Sequence, residues 1–139
     1  WDASAVFFYS DLVTPQEVRK MVSMAQRWKM NTIVQVSDEA HLENALMLSP
    51  HVLAFGRSLD DDLADTVASL TDIRDSLPCY IKVMLTKPLQ SVEEVSLAMQ
   101  AKVDAIIVTE DLLRHERYAA TIRQLITEVE ADRAEALRA

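Results

Sequence analysis

The stretch NTIVQVSDEAHLENALMLSPHVLAF, residues 31–55, decides the fold. Asn31–Val36 is a run rich in β-branched residues and reads as a strand. Asp38 is placed to cap a helix that carries Leu42, Ala45 and Leu46 on one side. Pro50 stops that helix directly before a second strand-like run, His51–Phe55. Strand, helix and strand in this spacing make a βα unit whose strands run parallel.

Outward from that unit the pattern repeats in both directions. Upstream, Ser4–Tyr9 reads as a strand. Thr14-Pro15-Gln16-Glu17 then forms a capping box with proline at the first helical position. The helix that follows presents Val18, Met21, Val22, Ala25 and Trp28 on one face. Downstream, Asp60, Asp61 and Asp62 crowd a helix start, where negative charge complements the helix dipole. That helix is expected to run to about Leu77, with Leu63, Val67, Leu70 and Ile73 facing inward and Pro78 ending it. Cys79–Leu85 reads as the fourth strand, leading into a Thr86-Lys87-Pro88 loop. A second capping box, Ser91-Val92-Glu93-Glu94, opens a helix that buries Val95, Ala98 and Met99. Asp104–Val108 is a short fifth strand. From about Arg117, Tyr118, Ile122, Leu125, Ile126 and Val129 form the stripe of a last helix. Residues 131–139 are charged and alanine-rich and are expected to fray.

Five strand–helix units on one chain of 139 residues argue for a single α/β domain with parallel strands. Two arrangements suit that count: part of a (β/α)₈ barrel, or a flavodoxin-like doubly wound sheet. Strand order separates them, being sequential in a barrel fragment and 2-1-3-4-5 in the doubly wound sheet.

Composition excludes several functions. A net charge of −8 argues against nucleic acid or an anionic membrane as the main partner. No apolar run approaches the roughly 20 residues that span a bilayer. With Gly56 the only glycine, no glycine-rich phosphate loop is available. The single cysteine excludes an internal disulfide. The chain opens on Trp1 rather than Met, so a processed product or a fragment is expected and targeting information is not readable.

Three blocks carry a family likeness: DASAVFFYSDL (residues 2–12), NTIVQVSDEAHLENAL (residues 31–46) and VDAIIVTEDLL (residues 103–113). They resemble indole-3-glycerol-phosphate synthase, a (β/α)₈ barrel of tryptophan biosynthesis. The likeness covers strands four to eight of a barrel that needs roughly 250 residues. The family's first three strands, with two catalytic lysines and a glutamate, have no counterpart here. The resemblance further implies that several site positions are eroded. Gln35 falls where the family carries a glutamate, and an amide cannot act as a carboxylate base. Gly56 and Arg57 fall near the family's asparagine pair, in a loop one residue shorter. Thr86, Lys87 and Pro88 replace a Glu-Ser-Gly turn, and the proline lacks a backbone donor for phosphate. Thr109 and Glu110 replace a Gly-Ser phosphate grip, setting a carboxylate where an anion would dock.

Other residues have a chemical and a structural reading. Lys82, two positions from Met84 on the presumed inner face, suits a Schiff-base lysine or a lysine reaching solvent at the strand's start. Arg57 is the ligand-binding candidate, with a salt bridge to Asp60 or Asp61 as the structural reading. His41, His51 and His115 lack zinc-site spacing, and Asp60–Asp62 read as a helix-start charge run rather than a cation site. Cys79 reads as a packed, inert thiol, and the six methionines as core filler or, if exposed, an adaptable surface.

These residues imply a non-catalytic relative of the synthase with no metal and no cofactor; if active, it would be a carbon–carbon lyase. A partial barrel also leaves two strand edges and an apolar interior to be covered. The cover is expected to be a protein partner, a second copy, or the missing N-terminal half-barrel. The family occurs in bacterial cytoplasm and in plastid stroma, so the resemblance leaves both compartments possible for a soluble chain.

Overall fold

In a computed structural model, residues 3–9, 14–36, 39–56 and 62–136 are described. Strands β1 (Ala5–Tyr9), β2 (Asn31–Val36), β3 (Val52–Phe55), β4 (Lys82–Leu89) and β5 (Ala105–Val108) alternate with helices. The helices are α1 (Pro15–Arg27), α2 (Glu39–Leu46), α3 (Leu63–Arg74), α4 (Val92–Gln100), α5 (Glu110–Arg114) and α6 (Glu116–Ala136). Every pairing is parallel, and the order is β1-β2-β3-β4-β5. Sequential order is that of a barrel segment and rules out the doubly wound arrangement. The sheet is not closed: among the described residues β1 pairs only with β2, and β5 only with β4.

Local signals account for three of the six helix starts. Thr14 accepts a hydrogen bond from the Glu17 N–H, and the Glu17 carboxylate accepts from the Thr14 N–H at 2.9 Å and its hydroxyl at 2.7 Å. These bonds, from the side chain first and then the backbone, hold the Glu17 carboxyl below its ordinary range. Asp62 caps α3 by accepting from the Ala64 N–H at 2.8 Å. Ser91 caps α4 through the Glu94 N–H, but the Glu94 carboxylate reaches Gln90 N–H at 2.6 Å rather than Ser91. The expected cap Asp38, like Asp60 and Asp61, lies outside the described residues.

Strand alternation builds two unlike faces. Phe8, Val34, Val36, Leu53, Phe55, Val83, Leu85 and Leu89 point under the helices and are buried. They pack with Val18, Val22, Leu63, Val67, Leu70, Ile73, Val95, Ala98 and Ile122 in one core. Each such Leu or Val stabilises the fold by about 1.5–3 kcal/mol through burial. The other face carries Phe7, Tyr9, Ile33, Gln35, Val52, Ala54, Met84, Thr86 and Ile107, and among the described residues no helix lies over it.

Several expectations are corrected. The fourth strand begins at Lys82, not Cys79, because the Ile81 N–H turns back to the Pro78 carbonyl at 3.0 Å. Cys79 is therefore exposed rather than packed. The strand also continues through Thr86-Lys87-Pro88, which was expected to be a loop. Leu85 pairs with Ile106 and Pro88 with Ile107, so Thr86 and Lys87 form a bulge that admits a proline into a strand. Helix α3 ends at Arg74, short of Leu77. Trp28 stands at the C-cap of α1 and is 76% exposed, not part of the inward stripe. Met24 and Met47 are also exposed, which leaves them outside the core. Helix α6 runs to Ala136, into the charged, alanine-rich end of the chain.

The shortage of glycine has a backbone consequence. Lys29, Ser49 and Lys102 all adopt positive φ, at 58°, 50° and 52°. Each lies just past a helix end, where glycine ordinarily closes the turn without a steric cost.

Candidate functional site

Parallel βα arrays bring their functional side chains to the C-terminal strand ends. Here that end is organised around one carbonyl. Gln35, one residue from the end of β2, donates from Nε2 to the Gly56 carbonyl at 2.8 Å. Thr86, in the β4 bulge, shares its hydroxyl hydrogen between the Phe55 carbonyl at 2.8 Å and the Gly56 carbonyl at 3.0 Å. Three neighbouring strands are thereby tied at their ends by two neutral side chains. Gly56 fits for two reasons. Its φ is +117°, and a Cβ there would lie 2.9 Å from Thr86 Oγ1 and 3.1 Å from the Lys87 nitrogen.

The arrangement consumes donors. A glutamate at position 35 would turn a carboxylate oxygen toward the Gly56 carbonyl, an acceptor facing an acceptor. Thr86 and Gln35 are both half-buried, and their polar heads are directed along the sheet rather than out of it.

At the end of β5, Thr109 donates its backbone N–H to the Leu89 carbonyl at 3.0 Å and makes no side-chain cap bond. Glu110 opens the five-residue α5, and its carboxylate accepts from Arg114 Nη2 at 2.7 Å and Nε at 3.2 Å. Both side chains are well exposed, so this pair adds little to stability. Lys87 and Pro88 are half-buried within β4. The structure thus brings Gln35, Gly56 and Thr86 into contact. Thr109 and Glu110 stand apart, beyond β5, and Arg57 lies outside the described residues.

The other candidates resolve structurally. Lys82 is exposed at the first residue of β4 and pairs with Asp104 at 3.4 Å. His51 Nδ1 accepts from the Thr32 N–H at 3.1 Å, which assigns the neutral ring's proton to Nε2. The His115 ring meets the edge of Tyr118 at 5.3 Å. Among the described residues no three His, Cys, Asp or Glu side chains gather to hold a metal, and no helix is long and apolar enough to cross a membrane.

One polar cluster was missed in the sequence. Asp104, just before β5, accepts from the Val83 N–H at 2.9 Å and pairs with Arg74 at 3.4 Å. Arg74 also donates to the Ile81 carbonyl at 3.1 Å. The only sequence signal was an acid at the mouth of an apolar run. The cluster sits at the N-terminal ends of the strands, the end of such folds that serves stability.

Similarity to known proteins agrees with this architecture. The structure is similar to thiamine phosphate pyrophosphorylase from Pyrococcus furiosus, with a TM-score of 0.65 and 16% identity over 92% of this chain and 61% of that one. It is also similar to the native KDPGal structure, with a TM-score of 0.61 and 14% identity over 90% of this chain and 60% of that one. At such identities the likeness speaks for the fold alone. In sequence, the chain is 21% identical over 123 residues to an indole-3-glycerol phosphate synthase of Lactiplantibacillus plantarum, covering 88% of this chain and 47% of that protein. The chain therefore spans about half the length of this curated relative. Residues 1–125 match the family profile described as indole-3-glycerol phosphate synthase. With a match over nine-tenths of its sequence, the chain belongs to the indole-3-glycerol phosphate synthase family.

Proposed function

We propose that this chain is a non-catalytic member of its family that works through protein contact. The observation that carries the reading is the Gln35 amide donating to the Gly56 carbonyl. The position where the resemblance expects a carboxylate holds a neutral group, and that group is engaged in joining β2 to β3. Glu110 supports the same reading, since a carboxylate stands where the family would dock an anion. The bare sheet face and its two edges supply the surface for contact. Assay of the full-length protein for indole-3-glycerol phosphate formation should give no turnover above background. Measurable turnover that is lost in Gln35→Ala would overturn the proposal.

The second reading is the C-terminal part of a divergent synthase, a carbon–carbon lyase of tryptophan biosynthesis. It is favoured by the 47% coverage of the curated relative. An upstream strand bearing Lys-Asp-Phe and an earlier glutamate–lysine strand would establish it. Arg57 remains the residue to test for a ligand, by thermal shift of the chain with phosphorylated metabolites.

A further inference from the structure

We propose that the groove between the α1–β2 and α2–β3 turns binds a small oxyanion, the phosphate or carboxylate group of a small molecule. It lies at the N-terminal ends of the strands, opposite Gln35 and Thr86, and does not rest on the contact reading above. Gln26, Lys29, Met30, Asn31, Ser49 and His51 line an open space of about 360 Å³, the size of a small-molecule site. Its walls are the turns that enter the neighbouring strands β2 and β3, so neither outer strand of the sheet lines it.

The groove holds donors and no acid. The chain carries 22 Asp and Glu against 14 Lys and Arg, yet none of the six lining residues is acidic. Two of the polar groups brace the walls. Gln26 Nε2 donates to the Ser49 carbonyl at 3.4 Å, and Asn31 Nδ2 to the Ser4 carbonyl at 3.4 Å. Three donors are left, the Lys29 ammonium, the Ser49 hydroxyl and the His51 Nε2–H, and none of them bonds to another described residue. The His51 ring is fixed by the buried Thr32, whose N–H donates to Nδ1 at 3.1 Å. Held inward at Nδ1, the ring keeps its proton on Nε2, which makes that atom a donor to an anion rather than a metal ligand.

The backbone agrees. Lys29 and Ser49 both hold positive φ, at 58° and 50°, where glycine would close each turn without strain. Glycine would also give up the ammonium or the hydroxyl, and both strained residues border this one groove. Lys102, the third such residue, lies outside it. The groove stands at the C-terminal ends of α1 and α2, where unsatisfied carbonyls would repel an anion. Here the Ala25 and Gln26 carbonyls accept from the Met30 and Lys29 N–H groups, and the Ala45 and Leu46 carbonyls from Leu48 and Ser49. With those carbonyls engaged, the Lys29 charge dominates.

Calorimetric titration of the full-length protein with inorganic phosphate and with succinate, at constant ionic strength, tests the site. At least one should bind saturably at about millimolar concentration, and the tighter of the two names the source of the oxyanion. In ¹⁵N-histidine spectra the His51 Nε2 signal should move with the same saturation, while those of His41 and His115 stay in place. Lys29→Gly and Ser49→Gly suit the left-handed backbone better than the native residues, so both should fold. Binding should nevertheless weaken about tenfold or more in the first and about threefold in the second. Lys20→Gln removes a charge from α1 outside the groove and should leave binding unchanged. No saturable binding of either anion, an unmoved His51 signal, full binding by Lys29→Gly, or equal weakening by Lys20→Gln would each overturn the proposal.

Discussion

The two faces of the sheet are made by alternate residues of the same strands, yet they meet different surroundings. Under the helices, Val34, Leu53 and Leu85 are wholly buried. On the bare side, Tyr9 is 53% exposed and Ile107 36%. Composition only partly separates them, since both are largely apolar and the second face adds Gln35 and Thr86. What differs is the covering layer, so among the described residues the helix-covered side holds the fold together and the other side carries less of the packing. Ala54 is the exception: it is buried on the bare side, on the central strand, where Gln35 and Met84 are its register neighbours.

The largest expected effect tests that division directly. Leu85→Ala should lower unfolding free energy by about 3 kcal/mol, whereas Ile107→Thr should change it by less than about 0.5 kcal/mol. Denaturant titration reads both, and equal losses would break the distinction.

Gln35→Glu sharpens it, because one polar position on the bare side should matter for stability. Turning a carboxylate to the Gly56 carbonyl should cost about 1–2 kcal/mol at neutral pH. The loss should shrink in acid, where a protonated carboxyl donates again. A pH-independent loss, or none, would remove the strand-end tie from the account.

Ser49→Gly should stabilise the chain by about 0.5–1 kcal/mol, since the positive φ there is relieved without touching either face. A loss measured by thermal unfolding would count against strain at that turn.

The smallest effect belongs to the Glu17 cap. Its carboxyl is held below the ordinary 4.5, so its contribution is complete above that value and disappears as pH falls through the lowered one. Helical circular dichroism should therefore weaken slightly at the acid end of a titration. Thr14→Ala should abolish that step.

What was legible in the sequence was local. The caps Thr14 and Asp62 declare themselves within one turn, and the alternation around Leu53 and Leu85 within one strand. Pro88 misled because a proline reads as a loop, and only the facing strand reveals the bulge that admits it. Trp28 misled because helical spacing does not say where the helix stops. Asp104 was invisible because its partner Arg74 lies on a different element, brought close by packing. Of the candidate site, Gln35, Gly56 and Thr86 were singled out individually, but nothing in their order announced that they meet.

The sequence by itself determined five βα units, their parallel sense and the family likeness, because periodicity, caps and breakers act across neighbouring residues. Tertiary structure alone decided that the strands lie in chain order, that one face stays bare, and that two side chains converge on the Gly56 carbonyl. Those choices join residues 21 and 30 positions apart, and such bonds form only after the helices have packed and fixed which strand lies beside which.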